Sequence, residues 1–310
     1  MSLTTYNPAN PPLYIKAKSE GRLKEVIERL QLLANPCRLC PRRCMAKRLE
    51  GETGYCKAPY ELYLSSAFSH FGEEPPLVGR NGSGAIFFTH CNLKCCFCQN
   101  YEISIYGDGT RYTAERLAGI MLELQDKGCH NINIVTPTHY VHQLIEGLSM
   151  AIDQGLEIPI VYNCGGYESI EVIRLLDGII DVYMPDIKFF SAGLSERFCN
   201  AKDYPEVVKA VVKEMQRQVG DLEMTEDGIV KKGLLIRHLI MPGCYEDTCR
   251  ILDFIRNEIS KAAYVNLMTQ YHPCYGAIEH KELTKMITPQ EYLKVLSYAK
   301  EIGLFRASNY

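Results

Sequence analysis

No apolar run in this chain of 310 residues approaches the roughly 18 residues that a membrane-spanning helix needs. The N-terminus lacks the basic-then-apolar order of a secretory signal, and no internal repeat or low-complexity tract interrupts the sequence. Nor is there an excess of positive charge. With 34 Lys and Arg against 37 Asp and Glu, the formal net charge is −3, so no global basic field exists to attract nucleic acid or an anionic membrane. These absences predict a cytoplasmic protein with no nucleic-acid or membrane partner. What the chain has in quantity is cysteine. Fourteen cysteines, several tightly clustered, in a chain of cytosolic character point to metal ligation rather than a disulfide scaffold. A hydrophobic content of 46% over this length suits one large α/β domain and a small appendage.

The stretch from Gly84 to Asn100 carries the clearest chemistry. A strand-like run, Ala85 to Thr89, delivers Cys91, Cys95 and Cys98 onto a loop. Thiolates spaced C-x3-C-x2-C can bind three irons of a [4Fe-4S] cube, whereas a purely electron-carrying cube normally takes four. The fourth iron is then left open, and an open coordination position is where a substrate or cofactor binds. Zinc is the rival reading, because C-x2-C knuckles are common zinc ligands, and spacing alone does not separate Cys96 from Cys95 as a ligand. This spacing, with Phe97 before the last cysteine, resembles the signature of the radical S-adenosylmethionine (SAM) enzymes. The resemblance implies a [4Fe-4S] cluster whose open iron chelates SAM, and one-electron cleavage of SAM to methionine and a 5′-deoxyadenosyl radical.

Upstream, residues 4 to 14 are rich in Asn and Pro and read as an irregular arm. Leu23, Val26, Ile27, Leu30 and Leu33 then follow helical spacing from about Ser19 to Leu33. A second cysteine group follows, Cys37-x2-Cys40-x3-Cys44, closed by Cys56 after Gly54-Tyr55. Interrupted by Pro41, Gly51 and Gly54, it forms a loop-rich module too small to hold together by burial alone. Its ligand count suits either a closed zinc site with four cysteine ligands or a second [4Fe-4S] cluster. Such a module serves as an electron relay, a substrate-docking clamp or a structural staple. Its basic neighbours Arg38, Arg42, Arg43, Lys47 and Arg48 either form a solvated face or offset the charge of bound thiolates. Gly72-Glu73-Glu74-Pro75-Pro76 reads as a turn.

From residue 84 onward, short apolar runs alternate with helical stretches. Strands are expected at 85–89, 131–135, 159–163, 179–184, 234–240 and 264–269, and helices near 113–127, 139–153, 168–176, 204–219, 246–260 and 289–302. Asp221 to Lys232 reads as a hairpin. Such alternation means parallel strands with right-handed crossovers. The predicted fold is α/β: an open, partial (β/α)6 TIM-like barrel over residues 81–310, preceded by an arm, helix and four-cysteine metal module over residues 1–80. Functional residues are expected at the C-terminal strand ends.

At those ends stand several polar groups. Gln99 and Asn100 follow the cysteines and offer bonds to sulfur, substrate or loop backbone. Thr136, Thr138 and His139 end the second strand, with His139 read either as functional or as a structural histidine at a helix start. Asn163 ends the third, before Gly165 and Gly166, and is placed to reach SAM or substrate. Asp186 and Lys188 project to the same side of the fourth, as a converging charge pair or a buried salt bridge. Arg237 on the fifth requires a negative partner, either the SAM carboxylate or a protein acid such as Asp186. His272 follows the sixth near the barrel mouth.

Together these residues resemble the pyruvate formate-lyase activating enzymes and their activating-enzyme-like relatives over about residues 37 to 302. The specific parts are Cys91-x3-Cys95-x2-Cys98-Gln99-Asn100, Asp186-x-Lys188, Arg237 with Pro242-Gly243, and Tyr271-His272. The resemblance implies that Asp186, Lys188, Arg237 and His272 contact SAM. It also implies a reduced flavodoxin- or ferredoxin-like electron donor and, as substrate, a backbone glycine of a partner protein. Two features depart from that pattern. The extra four cysteines lie before the SAM motif, and the second strand lacks the Gly-Gly-Glu that commonly holds the SAM ammonium group. The competing readings are a non-enzymatic zinc-binding interaction protein on a barrel scaffold, and an enzyme that uses SAM as a methyl donor.

Overall fold

The computed structural model of the protein describes residues 11–308. Residues 4–10 of the expected arm lie outside that range, but from Leu13 the chain is helical. Leu13–Ser19 and Arg22–Ala34 form two helices, separated where Gly21 adopts the left-handed conformation at φ 73°. The second helix buries Leu23, Val26, Leu30 and Leu33, the face that the apolar spacing marks.

Ten strands follow among the described residues: β1 (Leu62–His70), β2 (Ser83–Phe88), β3 (Thr110–Tyr112), β4 (Ile132–Val135) and β5 (Ile160–Cys164), then β6 (Val182–Pro185), β7 (Glu223–Met224), β8 (Val230–Leu239), β9 (Tyr264–Met268) and β10 (Ala307–Ser308). They make one open sheet in the order β10-β9-β8-β6-β5-β4-β2-β1-β3, with β7 paired to β8 as the expected hairpin. The six strands foreseen from the sequence are β2, β4, β5, β6, β8 and β9, all parallel to their neighbours in this series. This is an open, partial TIM-like barrel. The strands added to it lie at the edges: β1 and β3 run antiparallel beyond β2, and β10 extends β9. Because β1 pairs with β2, the division drawn at residues 80/81 falls between two partners in one sheet.

Side-chain alternation sorts each strand into an outer and an inner face. Ile132, Ile134, Tyr162, Tyr183, Ile236 and Val265 belong to the large core under the helices. Val161, Val182, Met184, Leu235 and Tyr264, from the same strands, form a separate inner cluster with Leu77. Leu77 arrives there on the segment between β1 and β2, which crosses the barrel floor as the short helix Pro75–Val78. Asn131 donates to the Leu77 carbonyl at 2.8 Å and holds that plug in place. The alternation also sends Asn133, Asn163, Arg237 and Asn266 into the lumen, where apolar residues would otherwise be expected.

Asp181 fastens the N-terminal helix to the barrel. Its buried carboxylate accepts from the amide of Leu13 at 2.7 Å and from that of Ile160 at 2.9 Å. Removing it leaves two amides without acceptors, so Asp181→Ala is expected to cost about 2–4 kcal/mol in urea unfolding, and a loss under about 0.5 kcal/mol would contradict this account. His238 supplies a pH test. Its Nδ1–H donates to the Ile187 carbonyl at 2.7 Å and its Nε2 accepts from the Thr248 hydroxyl at 2.9 Å, while burial pushes its pKa down to about 4 from an ordinary 6.5. The unfolded chain takes up this proton first as pH falls, so stability from His238 is present above about pH 6.5 and lost progressively down to about pH 4. Stability of the parent measured against His238→Gln should therefore decline across that window, and a constant difference would count against it.

Candidate functional site

The loop leaving β2 is held by its own backbone before any ligand is considered. His90 and Lys94 flank Cys91 and Cys95 with positive φ of 67° and 57°, an uncommon geometry outside glycine. The His90 amide donates to the Ile103 carbonyl at 2.9 Å, and the buried Asn92 side chain donates to the Tyr167 carbonyl at 2.6 Å. The Leu93 amide points at Cys91 Sγ from 3.4 Å, and the Cys98 amide returns to the Cys95 carbonyl at 3.2 Å. Cys98 Sγ lies 3.1 Å from Ser104 Oγ. The Cys96 amide is committed to the Phe198 carbonyl at 2.9 Å.

The thiols fit a thiolate-bound cluster in their chemistry. Burial pushes Cys91 up to about 12, and the neighbouring Cys95 and Cys98 add to the shift, so as free thiolates they repel one another. Bound metal resolves that repulsion, because the thiolate is the ligating form. Cys95 differs: the hydrogen bond with Cys199, at 3.4 Å between sulfurs, holds its pKa down, and Lys188 assists against burial. Among the described residues no three His, Cys, Asp or Glu side chains are drawn around one point closely enough to hold an ion. The three thiols line one loop.

Below this loop, at the ends of β5, β6 and β8, four of the expected residues meet. Lys188 Nζ lies 2.8 Å from Asp186 Oδ2, and Arg237 Nε lies 2.9 Å from Asp186 Oδ1. Arg237 Nη2 donates to Asn163 Oδ1 at 2.8 Å. The Asp186–Arg237 backbone bridge and the Ile187 amide bond to the Arg237 carbonyl bring the ends of β6 and β8 together. Asp186 is thus the acid partner of Arg237. Burial opposes the ionised carboxyl of Asp186, but the guanidinium and ammonium groups prevail and hold its pKa below the ordinary value. His272 stands apart on the exposed rim, where Gln99 Nε2 reaches its Nδ1 at 3.3 Å and the Gln270 carbonyl at 3.0 Å. Gln99 therefore bonds to loop backbone and ties the cysteine loop to the segment after β9. His139 is a structural residue: fully buried, its Nε2–H donates to the Thr89 carbonyl at 2.7 Å.

The second cysteine group packs against the first. Cys37 and Cys40 are buried, Cys44 and Cys56 half-buried. A tight turn joins them, with the Cys37 amide bonded to the Ala46 carbonyl and the Met45 amide to the Cys37 carbonyl. Arg43, Met45 and Lys57 all take positive φ. A Cβ on Gly54 would lie 2.2 Å from Cys44 Sγ, so only glycine leaves that thiol its place. Arg48 is no solvated cation. It is buried, donates to the carbonyls of His139 and Pro59, and favours the thiolates of Cys37 and Cys56 against burial. Arg42 lies over the Tyr55 and Tyr167 rings and donates to the Asn92 carbonyl at 3.0 Å, while Tyr55 OH donates to the Leu93 carbonyl.

The radical SAM superfamily model matches residues 85–231, which contain the three loop cysteines, Asn163, Asp186 and Lys188. The chain is 35% identical over 279 residues to the uncharacterized protein MJ0674 of Methanocaldococcus jannaschii, covering 86% of this chain and 75% of that one. Residues 85–231 are a radical SAM superfamily domain. A second protein of that organism, the uncharacterized protein MJ0808, is 24% identical over 288 residues, covering 83% of this chain and 79% of that one. Among solved structures, Streptococcus suis SuiB bound to S-adenosylmethionine is similar, with a TM-score of 0.49, 17% identity, and coverage of 69% of this chain and 45% of that one. The match spans less than half of SuiB.

Radical SAM membership implies a [4Fe-4S] cluster and SAM, and the donor set of the β2 loop fits the cluster. Glu73 and Glu74, read from the sequence as part of a turn, reach the Arg237 network and Asn266, a placement that the pattern concealed. Glu73 Oε2 lies 3.5 Å from Arg237 Nη1, and Glu74 Oε1 accepts from Asn266 Nδ2 at 2.8 Å. The legible signal was a polar residue inside an apolar strand: Asn133 between Ile132 and Ile134, and Asn266 between Val265 and Leu267. Truncating Arg237 leaves Asp186 and Glu73 short of a buried cation, so Arg237→Ala should cost about 3–5 kcal/mol in chemical denaturation. Arg237→Lys should recover only part of this, because one ammonium group cannot span Asp186, Asn163 and Glu73. Full recovery by Lys would show that charge alone matters.

Proposed function

We propose that this radical SAM protein is an enzyme that cleaves SAM reductively and abstracts a hydrogen atom from a substrate at the barrel mouth. The observation that carries the reading is the placement of Cys91, Cys95 and Cys98 on the loop leaving β2, beside the Asp186, Lys188 and Arg237 network at the strand ends. When bound, the cluster and SAM together supply one electron and the 5′-deoxyadenosyl radical, and the protein supplies orientation. Cys91, Cys95 and Cys98 would hold three irons. Asn163, Lys188 and Arg237, fixed by Asp186, would present donors toward SAM, and His272 on the rim would close over it. The apolar inner face keeps water from the radical.

The likeness of Asp186-x-Lys188, Arg237 and Tyr271-His272 to activating enzymes supports a narrower reading. In it, a reduced flavodoxin- or ferredoxin-like protein is the electron donor, and the hydrogen comes from a backbone glycine of a partner protein. We further assign Cys37, Cys40, Cys44 and Cys56 to a second metal, zinc or iron-sulfur, on the strength of the space that Gly54 leaves beside Cys44. Packed against Asn92 and Leu93, that module braces the SAM-cluster loop.

After anaerobic reconstitution and reduction, the parent is expected to convert SAM to 5′-deoxyadenosine and Cys95→Ala to form none above background. Cleavage that survives in the reconstituted variant would overturn the ligand assignment, and S-adenosylhomocysteine as product would mean methyl transfer.

A further inference from the structure

The lumen beneath the Asp186 network holds charge and hydrogen-bonding capacity that the SAM site does not use. Glu73 and Glu74 rise from the plug segment into it, and the carboxyl of Glu74 acts on that of Glu73. Three carboxylates, Asp186, Glu73 and Glu74, stand there against the permanent cations Lys188 and Arg237, with the His70 imidazole 3.8 Å from Glu73. The two cations are engaged: Lys188 with Asp186, and Arg237 with Asp186, Asn163 and Glu73. The acidic excess therefore falls on the Glu73–Glu74 pair. Burial and the adjacent Glu74 push Glu73 up to about 7, against the pull of Arg237.

Independent of charge, three buried side chains in the lumen have atoms without partners. Glu74 Oε2 and Asn266 Oδ1 have no donor, although Glu74 and Asn266 are bonded to each other through their other atoms. Asn133, fully buried, has neither amide atom paired. Buried polar atoms without partners are costly, and the facing pair Glu74 and Asn266 marks a place for a ligand. At Glu74 and Asn266 the unpaired atoms are acceptors, and His70 Nδ1, itself unpaired, stands 3.8 Å from Glu73 Oε1 on the side away from Arg237. A primary ammonium group has three donors and no acceptor, and it carries the charge that the lumen lacks. A carboxylate or carbonyl would bring a further acceptor to acceptors, and a hydroxyl would bring one donor and no charge. Met184, Leu239 and Met268 share this inner face and suit an aliphatic stem.

This place adjoins the Arg237 side of the SAM site, with Asn266 paired in register to Arg237, and lies below the cysteine loop. Cys91 lies beyond the end of β2, above the sheet, whereas Asn266 is the middle residue of β9 and Glu74 precedes the floor helix. We propose that the lumen receives a primary ammonium group of the substrate on an aliphatic stem, held by Glu73, Glu74 and Asn266. The same chemistry is offered by a lysine side chain in a peptide and by a free alkylamine. This rests on the reading of the protein as a radical SAM enzyme and names the substrate class of that same barrel.

The test is calorimetric titration of the full-length protein under anaerobic conditions with n-butylammonium, n-butanol, N,N,N-trimethylbutylammonium and Nα-acetyl-lysine methylamide. Saturable binding of n-butylammonium at about millimolar affinity is expected, with the trimethyl analogue and the alcohol at least about tenfold weaker. Glu74→Gln, or Glu73→Gln should that variant fail to fold, should weaken n-butylammonium at least about tenfold. The comparison of ligands on the parent needs no variant. Tighter binding of the blocked lysine would identify a peptide side chain, and tighter binding of the simple amine a free amine; both support the proposal. Equal binding of the alcohol or the trimethyl analogue, undiminished binding by a folded Glu74→Gln protein, or no saturable binding by the parent would overturn it. Loss of SAM affinity in Glu74→Gln, with no alkylammonium binding by the parent, would assign the pair to SAM instead and also overturn it. None of these titrations requires SAM cleavage, so their failure leaves that activity standing, and a protein that binds the amine without cleaving SAM would sink only the functional reading.

Discussion

The buried charge network centred on Asp186 is the constraint on which the barrel mouth depends. One carboxylate joins Lys188 on its own segment to Arg237 on β8, and Arg237 reaches on to Asn163 on β5 and Glu73 in the floor segment. Four parts of the chain far apart in sequence therefore meet through two cations. Charges taken out of water recover their desolvation cost only when geometry and hydrogen bonding are nearly complete, so such a network contributes more to a defined arrangement than to net stability. Here it fixes donors and charges at the ends of β5, β6 and β8.

The second organising contact joins the two cysteine groups. Arg42 and Tyr55, from the N-terminal module, both bond to carbonyls between Cys91 and Cys95. The module is thereby coupled to the shape of the cluster loop without supplying a ligand to it. Buried Arg48 works on the other side, bonding to the carbonyl of His139 after β4 and biasing Cys37 and Cys56 toward thiolate. Basic residues that a sequence presents as a charged run are divided here among packing, backbone bonding and electrostatic support.

Much of this was legible before the structure. The parallel strands announce themselves as apolar runs separated by helical periodicity, and the cluster loop by cysteine spacing, because both signals are local. Asp186, Lys188 and Arg237 were legible at strand ends, and Asp186 as one of the partners open to each cation; that one carboxylate takes both, with Asn163 and Glu73 joined to Arg237, was not. The edges and floor were hidden for physical reasons. β1 carries Ser65, Ser66 and Ser69 among its apolar residues, and pairing with β2, rather than propensity, makes it a strand. Glu73 and Glu74 sit between Gly72 and Pro75, which read as a turn. Only the path of that segment under the barrel brings them to Arg237 and Asn266, and that closure is a long-range fact. Cys199 beside Cys95 depended on the helix Ala192–Cys199, which the strand–helix alternation did not call for.

The central claim is that this barrel, with its three-cysteine loop, generates a 5′-deoxyadenosyl radical. The most direct measurement is to incubate the anaerobically reconstituted, dithionite-reduced parent with SAM, quantify 5′-deoxyadenosine, and count iron and zinc on the same sample. The account predicts 5′-deoxyadenosine with about four irons per chain when zinc fills the second site, or about eight when both sites hold clusters. A fully loaded, SAM-binding protein that forms no 5′-deoxyadenosine, or one that carries zinc and no iron after reconstitution, would contradict it.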